Sequence, residues 1–145
     1  MLFSGTEDFQ IARERLWDAL HDPQILQQAI PGCKEITLSS ESNYLIRLEL
    51  GVAAIKGEYV GRAQIIDGEY PKKYSIKAEG EGAPGFVKIH MQCELDEVEG
   101  GAGTLLKWNC DVEVGGLIAG MGGRVLAGVA KFLAKQFFQS LRKAI

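Results

Sequence analysis

Two histidines, three cysteines and a few closely spaced carboxylates are the residues of this chain that could do chemistry. Cys33, Cys93 and Cys110 lie far apart and make no C-x-x-C pair. With only His21 and His90 to join them, they do not form a zinc-type ligand set. They read as buried thiols acting as small apolar groups. No Ser-His-Asp or Cys-His-Asn arrangement is recognisable. Strand parity turns His90 outward, and His21 ends a helix, so both read as surface residues. Glu79 and Glu81 sit two apart on one strand face, but that face also carries Lys77 and reads as solvent; Asp111 and Glu113 repeat the pattern. A general base has to reach its substrate inside a pocket, and the expected interior holds almost no titratable group besides Tyr59, Tyr74 and the thiols. Gly80-Glu81-Gly82 and Gly120-Met121-Gly122-Gly123 lack the Lys-Ser/Thr that completes a phosphate loop. No catalytic residue, metal site or cofactor is assigned, and the chain is not read as an enzyme.

The elements that must position whatever site exists follow from patterning. The 145 residues are 46% hydrophobic and 24% charged, which suits one domain spanning 1–145. A net charge of −3 without a basic stripe argues against nucleic acid. No basic leader precedes an apolar run at Met1, and no stretch approaches the roughly 18 apolar residues of a spanning helix. The cytoplasm is the simplest location.

Leu2 to Ile11 reads as a strand. Ala12 to His21 carries Leu16, Trp17 and Leu20 at helical spacing. Asp22-Pro23 caps and starts a second short helix through Ile30, and Pro31-Gly32 stops it. Strands then follow at Cys33 to Leu38, Tyr44 to Leu50, Gly57 to Asp67, Tyr74 to Gly80, Val87 to Leu95 and Leu106 to Val114. Most alternate cleanly, as in Val87, Ile89, Met91, Cys93 and Leu95 against Lys88, His90, Gln92 and Glu94. Alternation means one dry and one wet face, and short turns mean an antiparallel meander. The cover for the dry face is Leu117 to Ala144, a helix of roughly 26 residues. The fold class is α+β: a curved antiparallel sheet gripping a long C-terminal helix, with two short helices after the first strand.

At 100° per residue, Ile118, Met121, Val125, Val129, Phe132 and Leu133 share the apolar side of that helix, and Arg124, Lys131, Lys135, Gln139 and Arg142 the polar side. Between helix and sheet the sequence admits either a packed core or a cavity. Gly115-Gly116, Gly120, Gly122-Gly123 and Gly128 crowd the helix start. They fit close helix-to-sheet packing or a soft segment that opens for ligand. Gln136 sits within the apolar stripe, as a ligand contact, a backbone partner or a solvated side chain. Phe138, near Leu141, is either a docking spot for a membrane or partner or part of the packing on the first helices.

The ordered set of motifs resembles the carbon monoxide dehydrogenase G-subunit family, within the START-like (SRPBCC, helix-grip) superfamily. It comprises Trp17 with Asp22-Pro23, Ile30-Pro31-Gly32-Cys33, Ile55-Lys56-Gly57 with Gly61 and Ala63, and Gly82-Ala83-Pro84-Gly85-Phe86. Gly103-Thr104 leading to Trp108, and Val114-Gly115-Gly116-Leu117-Ile118-Ala119 with Gly123-Arg124, complete it. The resemblance implies a non-enzymatic accessory protein of a molybdenum hydroxylase of the carbon monoxide dehydrogenase type. It also implies an apolar pocket similar to that of lipid carriers, a quinone-like or lipid-like ligand, and transient contact with the inner face of the membrane.

On this reading the expected pocket lining is Leu48 and Leu50, Tyr59 and Ala63, Ile76 and Ala78, Ile89 and Met91, then Leu106, Trp108 and Cys110 from the sheet. Met121, Val125, Val129 and Phe132 come from the helix. Tyr59, Tyr74 and Gln136 are the candidate polar contacts. Two other functions stand beside it. One is an assembly or membrane-recruitment protein acting through an apolar surface near Phe138 and Leu141. The other is a cyclase or hydratase, which needs a carboxylate or histidine inside the pocket, and a bulge that flips a strand would supply one.

Overall fold

The computed structural model describes residues 1–52 and 55–145. Seven strands form one antiparallel sheet in the order β1-β7-β6-β5-β4-β3-β2. They are β1 (Leu2–Phe9), β2 (Cys33–Ser40), β3 (Asn43–Leu50), β4 (Gly57–Glu69), β5 (Lys73–Gly82), β6 (Gly85–Val98) and β7 (Gly103–Gly115). From β2 to β7 every strand pairs with the next in sequence, and β1 closes the order by pairing with β7. The helices are α1 (Arg13–His21), α2 (Pro23–Ala29) and α3 (Gly123–Ala144). This is the α+β grip expected from the alternation, with longer strands. The sheet bends where its ladders slip, between Cys33 and Glu35, between Leu38 and Ser40, and between Ile66 and Glu69.

The local signals act as read. Asp22 caps α2 by accepting from the Gln24 amide at 2.9 Å, with Pro23 in the first turn. Thr104, fully buried, donates to the Ile11 carbonyl at 2.7 Å and fixes the chain between β1 and α1.

The cover departs from expectation. Leu117 to Ala144 is not one helix. Gly116–Met121 forms a 3-10 turn, Gly122 breaks it at φ +87°, and α3 proper has 22 residues. A 3-10 turn advances about 120° per residue instead of 100°, so a wheel phased from Leu117 is rotated by the time it reaches α3. The buried residues of α3 are Leu126, Phe138 and Leu141. Val125 and Phe132, expected inside, are 48% and 46% exposed.

The 3-10 turn is pinned to the β5–β6 hairpin. The Ile118 amide donates to the Pro84 carbonyl at 3.0 Å. Gly85 and Gly116 face each other there, both at positive φ. A Cβ on Gly85 would collide with the Gly115 carbonyl, and one on Gly116 would meet the Gly85 Cα at 2.8 Å. Farther along, a Cβ at Gly120, Gly122, Gly123 or Gly128 would meet nothing within 4 Å, so close packing does not explain those glycines. Gly85→Ala is therefore expected to cost about 1–3 kcal/mol, whereas Gly120→Ala leaves stability unchanged or raises it by up to about 1 kcal/mol. Urea unfolding of the two variants checks the contrast.

Candidate functional site

The dry face of the sheet is covered unevenly. At one end Phe9, Leu16, Leu20, Ala29, Tyr74, Cys93, Leu95, Leu106, Phe138 and Leu141 form a sealed cluster. At the other, Ile55, Tyr59, Ile118 and Leu126 form a second, with Leu48, Leu50, Val87, Val114, Met121, Val129 and Leu133 packed partly against it. Ala63, Ala78, Ile89, Met91 and Cys110 lie on the same face and belong to neither cluster. Most domains have one contiguous core; here the described core is divided, and a strip of small and medium apolar side chains runs between the halves.

Cross-strand register brings the strip together. Ala63 pairs with Ala78, and Ala78 with Ile89; Ile76 pairs with Met91, and Met91 with Cys110. The two alanines sit near the centre of the sheet, on β4 and β5. Four of these five residues are half-buried and Cys110 is buried; Ala63, Ala78 and Ile89 also border a depression on the outer face of the sheet.

The expected site residues divide accordingly. Ile76 packs partly against the sealed end, and Leu48, Leu50, Met121 and Val129 against the other. Leu106 and Tyr59 lie within the closed clusters, Leu106 at 1% exposure. Trp108 is half-buried beside the sealed cluster, its ring 6.3 Å from that of Phe138. Val125 and Phe132 are turned outward, as described.

The polar candidates fare differently. The Tyr59 hydroxyl donates to the Ile55 carbonyl at 2.6 Å, so its proton is already used. Tyr74 is buried beside Cys93, and burial pushes its hydroxyl well above the ordinary range. Gln136 is exposed; it lines an open depression of about 460 Å³ between the α2–β2 junction and the last turns of α3. Phe138 and Leu141 are core residues, 9% and 0% exposed, and cannot form a docking patch. The missed residues are Leu126 and Ile55 at one end and Phe137 at the other. Leu126 needed the correct helix phase, and Ile55 stands outside any regular period.

His21 is also not the surface residue expected. It stacks on Trp17 at 4.5 Å and meets Tyr74 edge-on at 4.6 Å. Its Nδ1 lies 2.7 Å from the Trp17 carbonyl, so Nδ1 carries the proton, and Nε2 is buried without a partner. Burial lowers its pKa below 6.5, against a smaller pull from the carbonyl bond and Asp18.

Burial raises the pKa of all three thiols. Burial, with Asp111 adding to it, pushes Cys110 up to about 11, and burial pushes Cys93 to about 11. Among the described residues no group of three or more metal-ligating side chains occurs. His90, Glu79, Glu81, Asp111 and Glu113 are placed on the outer face by register, away from the helix. An open depression of about 580 Å³ lies there. It is crossed by a ladder of alternating charge, Arg62, Glu79, Lys88 and Glu113 on neighbouring strands. The Arg62 Nε–Glu79 bond is 2.7 Å. These charges neutralise one another, so that face has no excess charge to attract an ion.

A curved antiparallel sheet holding one long helix over its apolar face is the START-like helix-grip fold. The chain belongs to the carbon monoxide dehydrogenase G-subunit (CoxG) family, whose profile matches residues 5–145. Among solved structures, a conserved protein from Geobacillus kaustophilus is similar with TM-score 0.94 and 36% identity, over 99% of this chain and 93% of that one. A START superfamily protein from Mycobacterium smegmatis is similar with TM-score 0.79 and 16% identity, over 98% and 94% of the two chains. A protein from Rhizobium loti has TM-score 0.74 and 13% identity, over 100% and 96%. No curated protein matches the sequence.

His21 gives the closed end a pH signature. Between 6.5 and its lower folded value, the unfolded chain takes up a proton that the folded chain refuses. Its contribution is thus complete above 6.5 and is lost as the pH falls through the folded value. Urea unfolding at about pH 7.5 and about pH 5.5 should show the wild type losing more stability on acidification than His21→Gln.

Proposed function

We propose that the chain binds an apolar small molecule, quinone-like or lipid-like, between the sheet and α3, as a non-enzymatic accessory protein of a carbon monoxide dehydrogenase-type molybdenum hydroxylase. The divided core carries this reading. The strip from Ala63 to Cys110 is apolar, faces the helix and is left out of both clusters. A ligand with a hydrocarbon body completes it, with burial supplying about 25 cal/mol per Å² before association costs. The protonated Cys110 thiol suits a carrier, because it does not attack an electrophilic ligand. The family supplies the partner enzyme in this proposal. A cyclase or hydratase reading finds little support, since the described strip between the clusters has no carboxylate or imidazole.

A second reading, docking to a membrane or partner, has its own observation. From Gly115 to Ile145 the chain has five Lys and Arg and no acid, while all nineteen Asp and Glu lie before it. On α3 the exposed arc carries Arg124, Lys131 and Lys135 beside exposed Val125 and Phe132. Apolar side chains flanked by cations suit an anionic interface. The surface expected at Phe138 and Leu141 is thereby replaced by one on the outer side of the same helix, compatible with ligand binding.

Two experiments test these readings. Intact mass before and after organic extraction should reveal a co-purified apolar molecule, and Ala78→Trp should abolish its retention with the fold intact by circular dichroism. An Ala78→Trp protein that keeps the molecule places it elsewhere. For the second reading, sedimentation with vesicles containing phosphatidylglycerol should show binding that falls at least several-fold in Lys131→Glu/Lys135→Glu and with added salt. Equal binding to neutral vesicles contradicts it.

A further inference from the structure

We infer that the indole N–H of Trp108 is the polar contact of the apolar site, and that the site therefore selects a ligand whose head group accepts hydrogen bonds without donating one. A ketone, ester or quinone carbonyl fits this description and an alcohol does not. The inference rests on the ligand-binding reading above.

Trp108 stands on β7 between Gly5 of β1 and Cys93 of β6. The indole lies across Gly5: a Cβ there would stand 2.9 Å from Cε2, Cζ2 and Nε1 of the ring. The edge strand thus leaves a side chain out where the indole lies. Trp108 is half-buried, and an indole N–H donates wherever an acceptor reaches it. That of Trp108 has none among the described residues, where side-chain hydrogen bonds run from other donors. It is not sealed either, since the described buried polar side-chain atoms without a partner are Arg13 Nε and His21 Nε2. An unbonded, reachable donor therefore stands on the dry face, two residues from Cys110.

Three of the other hydroxyl protons on that face are committed to backbone carbonyls, and the buried Tyr74 hydroxyl stands beside the Cys93 thiol. Tyr59 donates to the Ile55 carbonyl at 2.6 Å, Tyr44 to the His21 carbonyl at 2.8 Å, and Thr104 to the Ile11 carbonyl at 2.7 Å. The strip between the two clusters offers only the sulfurs of Cys110 and Met91, both weak acceptors. Tryptophan donates and does not accept. A carbonyl entering the strip meets a donor, whereas an alcohol brings a proton that finds no strong acceptor. A buried unsatisfied donor loses affinity, and a site built for one polarity discriminates strongly against the other.

The chain has two tryptophans, so proton–nitrogen correlation spectra contain two indole signals, and Trp17→Phe or Trp108→Phe assigns them. The probes are a long-chain methyl ketone, the corresponding secondary alcohol and the corresponding alkane. The ketone should bind about tenfold more tightly than the alcohol and move the Trp108 indole signal downfield while that of Trp17 stays. Trp108→Phe should bring the ketone to the alcohol's affinity. If the ketone binds, shifting the amides of Ala63 and Ala78, while the Trp108 indole signal stays and the two affinities are equal, the inference is overturned and the binding site stands. If none of the three binds, the binding site itself is overturned and the inference with it. The wild-type indole shift decides the matter even if Trp108→Phe fails to fold.

Discussion

Helix α3 is held against the sheet at its two ends, and the rest of the interior depends on that arrangement. At the C-terminal end Arg142 donates to Glu7 at 3.0 Å and to the Asp8 carbonyl at 2.9 Å, and lies over the Phe9 ring at 4.6 Å. Beneath this latch Phe138 and Leu141 sink into the cluster that also holds Leu16 and Leu95. At the other end Ile118 and Leu126 close on Tyr59 and Ile55. Large side chains fill both ends of the interior, and small ones, Ala63 opposite Ala78, stand between the two clusters. On the proposed reading a ligand completes the divided core, since well-packed interiors leave few voids larger than a water molecule.

The two faces of the sheet then take different tasks. The outer face balances its own charge across strands, as Arg62, Glu79, Lys88 and Glu113 do, and gains solubility without selectivity. The inner face commits its hydroxyls to backbone carbonyls that fasten loops and helices: Thr104 on Ile11, Tyr44 on His21 and Tyr59 on Ile55. In the strip itself the side chains are hydrocarbon and sulfur, with the Trp108 indole beside it. The basic flank of α3 adds a directional charge to an otherwise acidic molecule.

The grip was legible in the sequence because period-two alternation in β3 to β7 and the Asp22-Pro23 cap are local signals. The inner sheet residues followed from parity alone, and Ala63, Ala78, Ile89 and Met91 are where parity puts them. The helix side was not legible to the same degree. The 3-10 turn and the break at Gly122 reset the phase, which exposed Val125 and Phe132 and buried Leu126. Of the alternatives open for Gln136, its exposure matches the solvated side chain. The hydroxyl partners of Tyr59 and Tyr44 depend on where loops and helix ends arrive in space, and His21 is half-buried between Trp17 and Tyr74. No periodicity encodes those meetings. The family motifs, spread over the chain, carried the functional reading further than the interior residues could.

The central claim is that hydrocarbon enters the strip between the two clusters. The most direct measurement is paramagnetic broadening of methyl signals by a fatty acid bearing a nitroxide near the end of its chain. The methyls of Ala63, Ala78, Ile89 and Met91 should broaden together at low occupancy, while those of Leu16 and Leu95 in the sealed cluster and of Leu45 and Val60 on the outer face stay sharp. Broadening confined to Leu45, Val60 or the exposed flank of α3, with the four strip residues unaffected, would contradict the account.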